Sequence, residues 1–594
     1  MDLKFHDVEP TPAERTAVDD AVGAPDSTWE GAEERSADDL RIARGGHAAR
    51  AQRHLLLPAL AAVQSEIGWI SPGALDYICR RLQVPPADAY GVATFYALLS
   101  VEERPGCVAH VCDDIACRDS GGTAILEAFA DRDDVVPSPC LGQCDRAPAA
   151  FIQRAGSPDL TLAPTAVSEI TAALEGAVPE AELPNPTPQS DRSGMRVLER
   201  VGVVDPSSLE AFQASGGFSA LEKSVEMGAA AVIAEVKASN LRGRGGAAFP
   251  TGVKWEGAAR EDGPRYLICN ADESEPGTFK DRVLMEGDPF GLIESMVIAG
   301  LAIGAEHGYI YVRGEYPVAT SRLRSAIDQC EAAGWLGNDV NGTGRRFSVE
   351  IRRGQGAYIC GEETALFNSI EGYRGEPRQK PPFPTQSGLF GKPTVVNNVE
   401  TLLNIPGIVL GGGEAFAEIG TKDSTGTRLF CLSGSVAVPG VYEVPFGTTL
   451  RALLDMAGGA ISDIKAILLG GAAGSFVGPD ALDLALTFED TRSAGVSLGS
   501  GVVMVFNETT SFVGTTRRIA EFFRDESCGQ CVPCRVGTVR QEELLARHLN
   551  GADLDRSLLD DIAAVMADAS ICGLGHTAAT AVRSAVDLGL LEAT

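Results

Sequence analysis

The chain has 594 residues, which is too long for one hydrophobic core and predicts several domains. Its 44% hydrophobic and 22% charged content is that of a globular protein, and we expect a cytoplasmic location. The net charge of −31 argues against nucleic acid as a partner, because a protein that binds a polyanion needs a basic face. No apolar run approaches the roughly 18 residues of a membrane span, so we expect no direct membrane insertion.

The first third of the chain is predicted to contain an arm, two small domains and a linker. Residues 1–45 are polar and acidic, which predicts a flexible arm. Apolar residues recur at three- and four-residue steps within 46–104, which predicts a helical bundle. Residues 105–177 alternate short strands with helical patterns and predict a compact α/β domain. Prolines among polar residues mark a linker at 178–196.

Three further domains are predicted after the linker. Residues 197–425 alternate strands with long helical stretches and form the largest predicted domain, of α/β type. Residues 426–512 are rich in predicted strands and contain one helical pattern, which indicates a small α+β module. Residues 513–594 return to helical periodicity and carry a group of cysteines.

A glycine-rich stretch near the start of the largest domain, residues 241–255, reads L-R-G-R-G-G-A-A-F-P-T-G-V-K-W. Glycines let the backbone approach a ligand closely, and successive N–H groups form a nest for an anion. Arg242, Arg244 and Lys254 add cations that suit phosphate, and Phe249 adds a ring that could stack on a heterocycle. This loop predicts a site for a phosphorylated aromatic cofactor.

Four polar stretches accompany the glycine loop. Each one alone could be a helix cap or a loop, but together they favour one cofactor pocket, and the first follows a predicted strand, where open α/β sheets bind ligands. H-E-x-x-H and P-loop patterns are not found, and with cysteine groups that suit iron–sulfur clusters in the same chain, redox chemistry is favoured over hydrolysis. The four stretches are Asn270–Gly277, Tyr358–Glu363, Lys380–Pro384 and Val396–Val399.

Eight of the fourteen cysteines fall into two groups, and the other six lie in apolar contexts that favour packing. Cys528, Cys531 and Cys534 lie within seven residues and are followed by Cys572, a spacing that favours a [4Fe–4S] cluster over zinc. The earlier group forms two pairs, with spacings that lean toward a [2Fe–2S] cluster but leave zinc open. A thioredoxin-like redox disulfide would need C-x-x-C, which is absent there. The earlier group is Cys112, Cys117, Cys140 and Cys144.

These motifs together resemble a known family. Residues 200–594 resemble the flavin- and NADH-binding subunit of respiratory complex I, through the glycine loop, N-A-D-E-S-E-P-G-T-F-K-D-R, G-A-Y-I-C-G-E-E-T-A-L, K-P-P-F-P, N-N-V-E-T, S-C-G-Q-C-x-P-C-R and C-G-L-G. Residues 50–176 resemble its neighbouring thioredoxin-like [2Fe–2S] subunit, through C-D-D-I-A-C and C-L-G-Q-C-x-x-A-P. The resemblance implies a multidomain α/β protein: a helical bundle and thioredoxin-like domain, a Rossmann-like FMN-binding α/β domain, a β-grasp (ubiquitin-like) domain and a C-terminal helical iron–sulfur domain.

The resemblance also implies the cofactors FMN and NAD(H), one [4Fe–4S] and one [2Fe–2S] cluster. Hydride would pass between nicotinamide and flavin, with Glu275 nearby and no side chain acting as the catalyst, and the clusters would relay single electrons. The implied FMN residues are Gly243, Arg244, Gly245, Lys254, Asn270, Asp272, Glu273, Glu362, Asn397 and Asn398. The implied NAD(H) residues are Phe249, Glu275, Glu363, Lys380 and Phe383, and Gly246, Tyr358 and Gly361 complete the predicted pocket.

The chain departs from the family pattern in three places. Ala248 stands where relatives often have glycine, which adds a methyl group beside the pocket. Gly257 stands where some relatives carry an aromatic residue that flanks NADH. The gap between Cys117 and Cys140 is also shorter than in the complex I subunit.

Fusion of the two subunits resembles the diaphorase chains of soluble NAD-linked enzymes. These enzymes are molybdenum or tungsten formate dehydrogenases and NAD-reducing nickel–iron hydrogenases. Chain length and arrangement slightly favour a formate dehydrogenase. A component of complex I is the next alternative. Formate or hydrogen chemistry, with further iron–sulfur clusters, would lie on a large catalytic partner subunit. The alternative of another class is a zinc-stabilised scaffold without turnover, and a thioredoxin-like thiol exchanger is a third possibility.

Overall fold

The computed structural model describes residues 8–25, 51–178 and 187–592. Helices and strands are numbered in chain order over these residues. Much of the expected arm, residues 1–7 and 26–45, and part of the expected linker, residues 179–186, lie outside the described residues.

The first described residues form helix α1 (Pro12–Val22). Val18 is fully buried against the bundle, and Asp19 accepts a hydrogen bond from Tyr77 at 2.7 Å and pairs with Arg81. A flexible arm is therefore the wrong description of α1, because long-range packing and a buried ion pair outweigh its polar composition.

The helical bundle leads into a sheet of thioredoxin-like type. Strand order is β2-β1-β3-β4, with β1 parallel to β2 and antiparallel to β3. The fold therefore brings the ends of β1 and β2 together, where the first four cysteines lie. The elements are α2 (Leu56–Ile67), α3 (Pro72–Leu82), α4 (Pro86–Ala93), β1 (Cys107–Cys112), α5 (Ile115–Asp119), α6 (Gly122–Ala128), β2 (Val135–Ser138), β3 (Ala150–Arg154), β4 (Leu160–Leu162) and α7 (Val167–Leu174).

A Rossmann-like parallel sheet with strand order β7-β6-β5-β8 follows. Its first strand, β5, has later strands on both sides, so a crevice forms beyond the carboxyl ends of β5 and β8. The elements are α8 (Leu209–Ala214), α9 (Ser219–Met227), α10 (Ala229–Ala238), α11 (Thr251–Ala259), β5 (Tyr266–Ala271), α12 (Lys280–Gly287), α13 (Pro289–Ile303), β6 (His307–Val312), α14 (Pro317–Ala332), β7 (Ser348–Arg353), α15 (Glu363–Ile370), β8 (Thr394–Asn398), α16 (Val399–Leu403), α17 (Ile405–Gly411) and α18 (Gly413–Ala417).

The β-grasp unit is a five-stranded mixed sheet with strand order β10-β9-β13-β11-β12. Its central pair, β9 and β13, is parallel, and the outer strands pair antiparallel. The unit has its own apolar core, formed by one face of the sheet and α19. The elements are β9 (Thr427–Gly434), β10 (Gly440–Pro445), α19 (Leu450–Met456), β11 (Ile464–Leu469), β12 (Ser475–Val477), α20 (Phe488–Ser493) and β13 (Val502–Asn507).

The C-terminal unit is helical. It consists of α21 (Phe512–Asp525), α22 (Val532–Leu549), α23 (Arg556–Ala569), α24 (Gly573–Thr577) and α25 (Thr580–Asp587). Within residues 8–25, 51–178 and 187–592, every helix is too short or too polar to cross a bilayer.

Glu443 of β10 binds the segment that precedes the Rossmann-like unit and so attaches it to the β-grasp unit. Its buried carboxylate accepts hydrogen bonds from the backbone N–H groups of residues 196–198 at 2.9–3.2 Å and from the Thr427 hydroxyl at 2.6 Å. Gln189 adds two hydrogen bonds to the Glu443 backbone. The end of the expected linker and the residues directly after it are therefore held at a defined place.

We predict that Glu443→Gln lowers the thermal midpoint of unfolding. The amide keeps one acceptor and turns an NH₂ group toward N–H donors, leaving buried groups unpaired at a cost of about 1–3 kcal/mol. Differential scanning calorimetry measures the change, and exposed Glu414→Gln is the matched control. Equal midpoints for the two variants would contradict the role given to Glu443.

Candidate cofactor site

A cavity of 390 Å³ lies at the carboxyl ends of β5 and β8, where three units of the fold meet. The Rossmann-like unit supplies the glycine loop, the segment after β5, the Tyr358–Gly361 turn and the end of β8. The lining residues are Gly245, Gly246, Ala247, Asn270, Asp272, Glu273, Ser274, Glu275, Thr278, Lys280, Asp281, Tyr358, Ile359, Gly361, Glu362, Asn398, Gly470, Ala473, Ser497, Gly499, Ser500, Gly573, Leu574 and Thr577.

The structure places the predicted site residues in two groups. Those that line the cavity are Gly245, Gly246, Asn270, Asp272, Glu273, Glu275, Tyr358, Gly361, Glu362 and Asn398. Those that do not line it are Gly243, Arg244, Phe249, Lys254, Glu363, Lys380, Phe383 and Asn397. In the second group, Asn397 accepts a hydrogen bond from Trp255 at 2.8 Å, and Gly243 donates to the Phe249 carbonyl at 2.9 Å.

Asp272 and the glycines give the cavity features of a cofactor cradle. The buried Oδ2 atom of Asp272 has no hydrogen-bond partner, and burial raises the pKa of this carboxyl well above its usual value. At Gly245, an added Cβ would lie 3.1 Å from the Cβ of Asn398. The unpartnered oxygen of Asp272 suits a bound molecule that carries polar hydrogens. The glycine backbone, which has no side chains, lets such a molecule come close to the wall.

Two other carboxyl groups in the cavity wall are already bonded to the protein. Glu273 accepts from the backbone N–H groups of Asp281 and Arg282, both at 2.9 Å, and burial raises its pKa to about 8. Glu275 accepts from the Ala473 N–H at 3.0 Å and the Ser500 hydroxyl at 2.6 Å. Burial raises the pKa of Glu275 to about 7, and these two hydrogen bonds oppose the rise.

Arg244, a predicted phosphate ligand, is fully buried behind the loop. Its guanidinium donates to the carbonyls of Thr425 and Thr427 at 2.8 and 3.1 Å and lies 4.7 Å from the centre of the Phe446 ring. Burial lowers the pKa of Arg244 to about 9, and Glu400 at 3.9 Å opposes that effect. In this arrangement Arg244 ties the glycine loop to the β-grasp unit.

Lys280 is the buried cation that lines the cavity, and our sequence interpretation missed it. Its ammonium lies 2.8 Å from Asp281, 3.0 Å from Glu400 and 3.3 Å from Asn398. Although burial disfavours the charge, the two carboxylates raise the pKa of Lys280 above its usual value. The motif T-F-K-D-R contained this lysine, but the pattern gave no reason to prefer it to the cations of the glycine loop.

Charged residues form a chain beside the cavity; Glu363 and Lys380 were predicted to bind NAD(H), and Lys254 and Glu362 to bind FMN. Lys380 lies 3.0 Å from Glu362, which lines the cavity, and 2.8 Å from Glu363. Glu363 lies 3.7 Å from Lys254, whose ammonium is 5.9 Å from the centre of the Phe249 ring. The rings of Phe249 and Phe383 are 51% and 56% exposed, so both are accessible for stacking. We call these six residues the rim: Phe249, Lys254, Glu362, Glu363, Lys380 and Phe383.

The opposite wall comes from units that the sequence interpretation did not connect with the pocket. The β-grasp unit supplies Gly470, Ala473, Ser497, Gly499 and Ser500. The C-terminal unit supplies Gly573, Leu574 and Thr577 of α24. The sequence around residue 499 is rich in glycine and serine, but no pattern indicated that it faces the glycine loop.

The second cysteine group lines one small cavity, which lies next to the cofactor cavity. Cys531 precedes α22, Cys534 lies in its first turn, and Cys572 precedes α24, so helix starts present three of the thiols. Together with Cys528 they line a single space. In the described part of the chain, no cluster of Cys, His, Asp or Glu has the geometry of a site for a single metal ion.

The first cysteine group is buried where the thioredoxin-like unit meets the rest of the protein. Cys140 and Cys144 have sulfur atoms 3.4 Å apart, and Cys112 and Cys117 lie nearby in β1 and α5. This loop is docked by buried arginines: Arg282 donates to the Gly142 carbonyl at 2.9 Å, and Arg313 donates to the Cys140 carbonyl at 2.7 Å. The first cysteine group is therefore fixed against the unit that holds the cavity.

The residues that depart from the family pattern lie on the loop and on α11. Ala248 has a φ of 51°, the left-handed region that favours glycine. A side chain at Gly257 would meet Thr385 at 3.8 Å, an ordinary contact distance. The backbone is therefore strained at Ala248, whereas a Cβ at Gly257 would fit without a clash.

Family models match four parts of the chain. Residues 43–175 match the thioredoxin-like [2Fe-2S] ferredoxin, residues 236–407 the Nuo51 FMN-binding domain, residues 429–471 the SLBB domain, and residues 514–588 the NADH-ubiquinone oxidoreductase-F iron-sulfur binding region. The cofactors of the chain are therefore FMN, a [2Fe–2S] cluster and a [4Fe–4S] cluster, with NADH as substrate. The cysteine spacing favoured iron over zinc, and this interpretation is confirmed.

Two curated relatives each cover about two thirds of the chain. An NADH-quinone oxidoreductase subunit of Aquifex aeolicus is 46% identical over 394 residues, covering 66% of this chain and 92% of the relative. The NADP-reducing hydrogenase subunit HndC of Solidesulfovibrio fructosivorans is 43% identical, covering 67% of this chain and 82% of the relative. A solved structure of NAD+-reducing [NiFe]-hydrogenase in the H2-reduced state superposes with a TM-score of 0.77 at 32% identity, covering 91% of this chain and 92% of that one.

We predict that Ala248→Val destabilises the glycine loop. A β-branched side chain in the left-handed region costs about 1–3 kcal/mol, so the thermal midpoint and the fraction of FMN retained on gel filtration should both fall. Ala248→Gly should keep both at least at their original values. Ala231→Val, on the exposed face of α10, is the control. Normal FMN retention in Ala248→Val would show that the loop conformation is not needed for binding.

Proposed function

The chain belongs to the family of the FMN-binding NADH-quinone oxidoreductase subunits, and from that premise we propose that it is a diaphorase subunit. It would exchange a hydride between NAD(H) and FMN and pass electrons singly to its iron–sulfur clusters. The observation that carries the proposal is one cavity, in an FMN-binding domain, whose wall reaches the helix that follows Cys572. FMN supplies the exchange between two-electron and one-electron chemistry.

For FMN, we propose that the cavity residues act as hydrogen-bonding and charged ligands. Asp272 offers a free acceptor to polar hydrogens of the cofactor, and Asn270 and Asn398 offer amides. Gly245 and Gly246 let the loop approach the cofactor closely. Lys280 takes the phosphate-binding role that the resemblance gave to Arg244, because Lys280 lines the cavity and Arg244 does not.

For NAD(H), we propose that the rim holds the dinucleotide beside the flavin. Phe249 and Phe383 present exposed rings for stacking, and Lys254 and Lys380 present cations for the pyrophosphate. Glu275, which lines the cavity, is held by Ala473 and Ser500 of the β-grasp unit. The chemistry takes place on the flavin, and the side chains position the two partners.

We further propose that the chain works in the cytoplasm with a large catalytic partner that carries more iron–sulfur clusters. None of the fourteen cysteines, all of which lie in the described residues, is in a disulfide, which supports a reducing compartment. A nickel–iron hydrogenase is the partner that one observation favours, since the hydrogenase structure covers both halves of this chain. A formate dehydrogenase is supported by chain length and arrangement alone.

Anaerobic purification of the native complex tests the proposal. Bound FMN, iron in both clusters and bleaching of the flavin absorbance by NADH are expected. Nickel in the co-purified partner would identify a hydrogenase, and molybdenum or tungsten a formate dehydrogenase. Protein without flavin or iron that contains zinc would instead support a scaffold.

We predict that Lys280→Gln and Arg244→Gln have different effects on FMN binding. Both remove a buried charge beside Glu400 and should lower the thermal midpoint of the apoprotein. Only Lys280→Gln should also reduce the upward shift caused by added FMN, because it loses a charge-assisted bond of about 1.5–3 kcal/mol. Thermal scans of apoprotein with and without FMN measure both quantities. If Arg244→Gln abolished the shift and Lys280→Gln preserved it, the phosphate assignment would be reversed.

We predict that NADH binding weakens as the pH rises through about 7 and that Glu275 is responsible. Its raised pKa of about 7 keeps the carboxyl neutral below that pH and negative above it, where it repels the anionic dinucleotide. In Glu275→Gln this pH dependence should disappear. The KM for NADH between pH 6 and 8, with ferricyanide as the electron acceptor, measures it. A mutant that keeps the full pH dependence would assign the effect to another group.

A further inference from the structure

The cavity assigned to the flavin and the cavity lined by Cys528, Cys531, Cys534 and Cys572 share a wall. Ile359 and Leu574 are the two side chains that line both spaces. They are 3% and 6% exposed. Two aliphatic side chains therefore separate the flavin cavity from the cluster cavity.

Leu574 is connected to the cluster cavity along the chain as well. It lies two residues after Cys572, in the first turn of α24, and both residues line the cluster cavity. Gly575 fixes the position of this turn, since an added Cβ would clash with Ser570 Oγ and lie 3.1 Å from Cys534 Cβ. Leu574 thus follows a cysteine of the second group by two residues and lines the flavin cavity as well.

Ile359 is held in place by contacts between its turn and the C-terminal helical unit. It lies in the Tyr358–Gly361 turn, whose first N–H donates to the Glu526 carboxylate at 2.8 Å. The Tyr358 ring packs against Phe522 of α21 with ring centres 5.0 Å apart. These contacts lock the turn of the Rossmann-like unit onto the helical unit and so fix the thickness of the shared wall.

Such a wall suits electron transfer. Tunnelling rates fall exponentially with distance and fall faster across empty space than across packed atoms. An apolar wall also keeps water from the sulfur atoms, and both solvent exposure and hydrogen bonds to sulfur set cluster potentials. A close-packed, dry and rigid contact gives a short gap and a stable potential.

We propose that Ile359 and Leu574 form the electron bridge from the flavin to the [4Fe–4S] cluster, with Leu574 as a positioning residue that also tunes the cluster potential. The inference rests on the proposed function. NADH would supply two electrons through bound FMN, and the cluster would take them up one at a time, with ferricyanide as the final one-electron acceptor in the assay. Ile359 and Leu574 would set the gap that each electron crosses.

The test compares Leu574→Ala, Leu574→Met and Leu559→Ala in the full chain loaded with both clusters and FMN. Leu559 is a buried leucine of α23, 2% exposed, that lines neither cavity. After rapid mixing with NADH, flavin bleaching is followed by absorbance and cluster reduction by freeze-quench EPR, both normalised to bound flavin. Redox titration gives the midpoint potential of the cluster.

In Leu574→Ala, cluster reduction should lag several-fold behind flavin bleaching, and the cluster potential should rise as water reaches the sulfurs. A tenfold change in the electron-transfer equilibrium corresponds to about 59 mV for a one-electron couple. Leu574→Met should restore both values, and Leu559→Ala should match the original protein.

Unchanged cluster reduction and unchanged potential in Leu574→Ala would overturn the bridge. If Leu574→Ala does not retain flavin, Ile359→Ala is measured in the same way, and unchanged values there overturn it equally. Absence of flavin bleaching by NADH in the unmodified protein would instead reject the proposed function, so the two failures are distinguishable.

Discussion

The cofactor cavity depends on the interactions of the Glu400 carboxylate. It is fully buried at the start of α16, directly after the end of β8. One oxygen accepts the Leu429 N–H of β9 at 2.9 Å, and the other lies 3.0 Å from Lys280. Arg244 of the glycine loop is 3.9 Å away. A single charge thus joins the glycine loop, the segment after β5, the end of β8 and the β-grasp unit.

This arrangement explains why the site needs charges of both signs in its interior. A buried carboxylate is costly without partners, and removing one member of such a pair costs about 3–5 kcal/mol. Arg244 on one side and Lys280 on the other offset the cost of burying the Glu400 carboxylate. The two cations have different roles. Arg244 is occupied by backbone carbonyls, while Lys280 still borders the cavity.

The same principle attaches the N-terminal half of the chain. Arg282 pairs with Asp145 at 2.8 Å, and Arg518 lies 3.3 Å from Asp114, so arginines of the later units reach both loops that carry the first cysteine group. Gly142 packs directly against Tyr316, where no side chain would fit. Fusion of the two units in one chain is therefore accompanied by a dense, charged interface, which holds the two cysteine groups at fixed positions around the cavity.

The sequence by itself indicated a phosphorylated aromatic cofactor and a [4Fe–4S] cluster, and its resemblance to a known family added FMN, NAD(H) and the [2Fe–2S] cluster. Cysteine spacing, glycine loops and polar residues after strands are local patterns, and local geometry sets which ligands they suit. The side chains predicted from such segments, including Asp272, Glu275 and Asn398, do line the cavity.

Only the tertiary structure decided which charges face the cavity and which residues divide it from the cluster. Arg244 and Lys280 are both cations in recognisable motifs, and their roles separate only when Glu400 and the carbonyls of the β-grasp unit are placed around them. Leu574 is an ordinary apolar residue in sequence, and helix α1 has a polar composition. Their positions depend on contacts between residues hundreds of positions apart or on another helix, and such contacts leave no local pattern in the sequence.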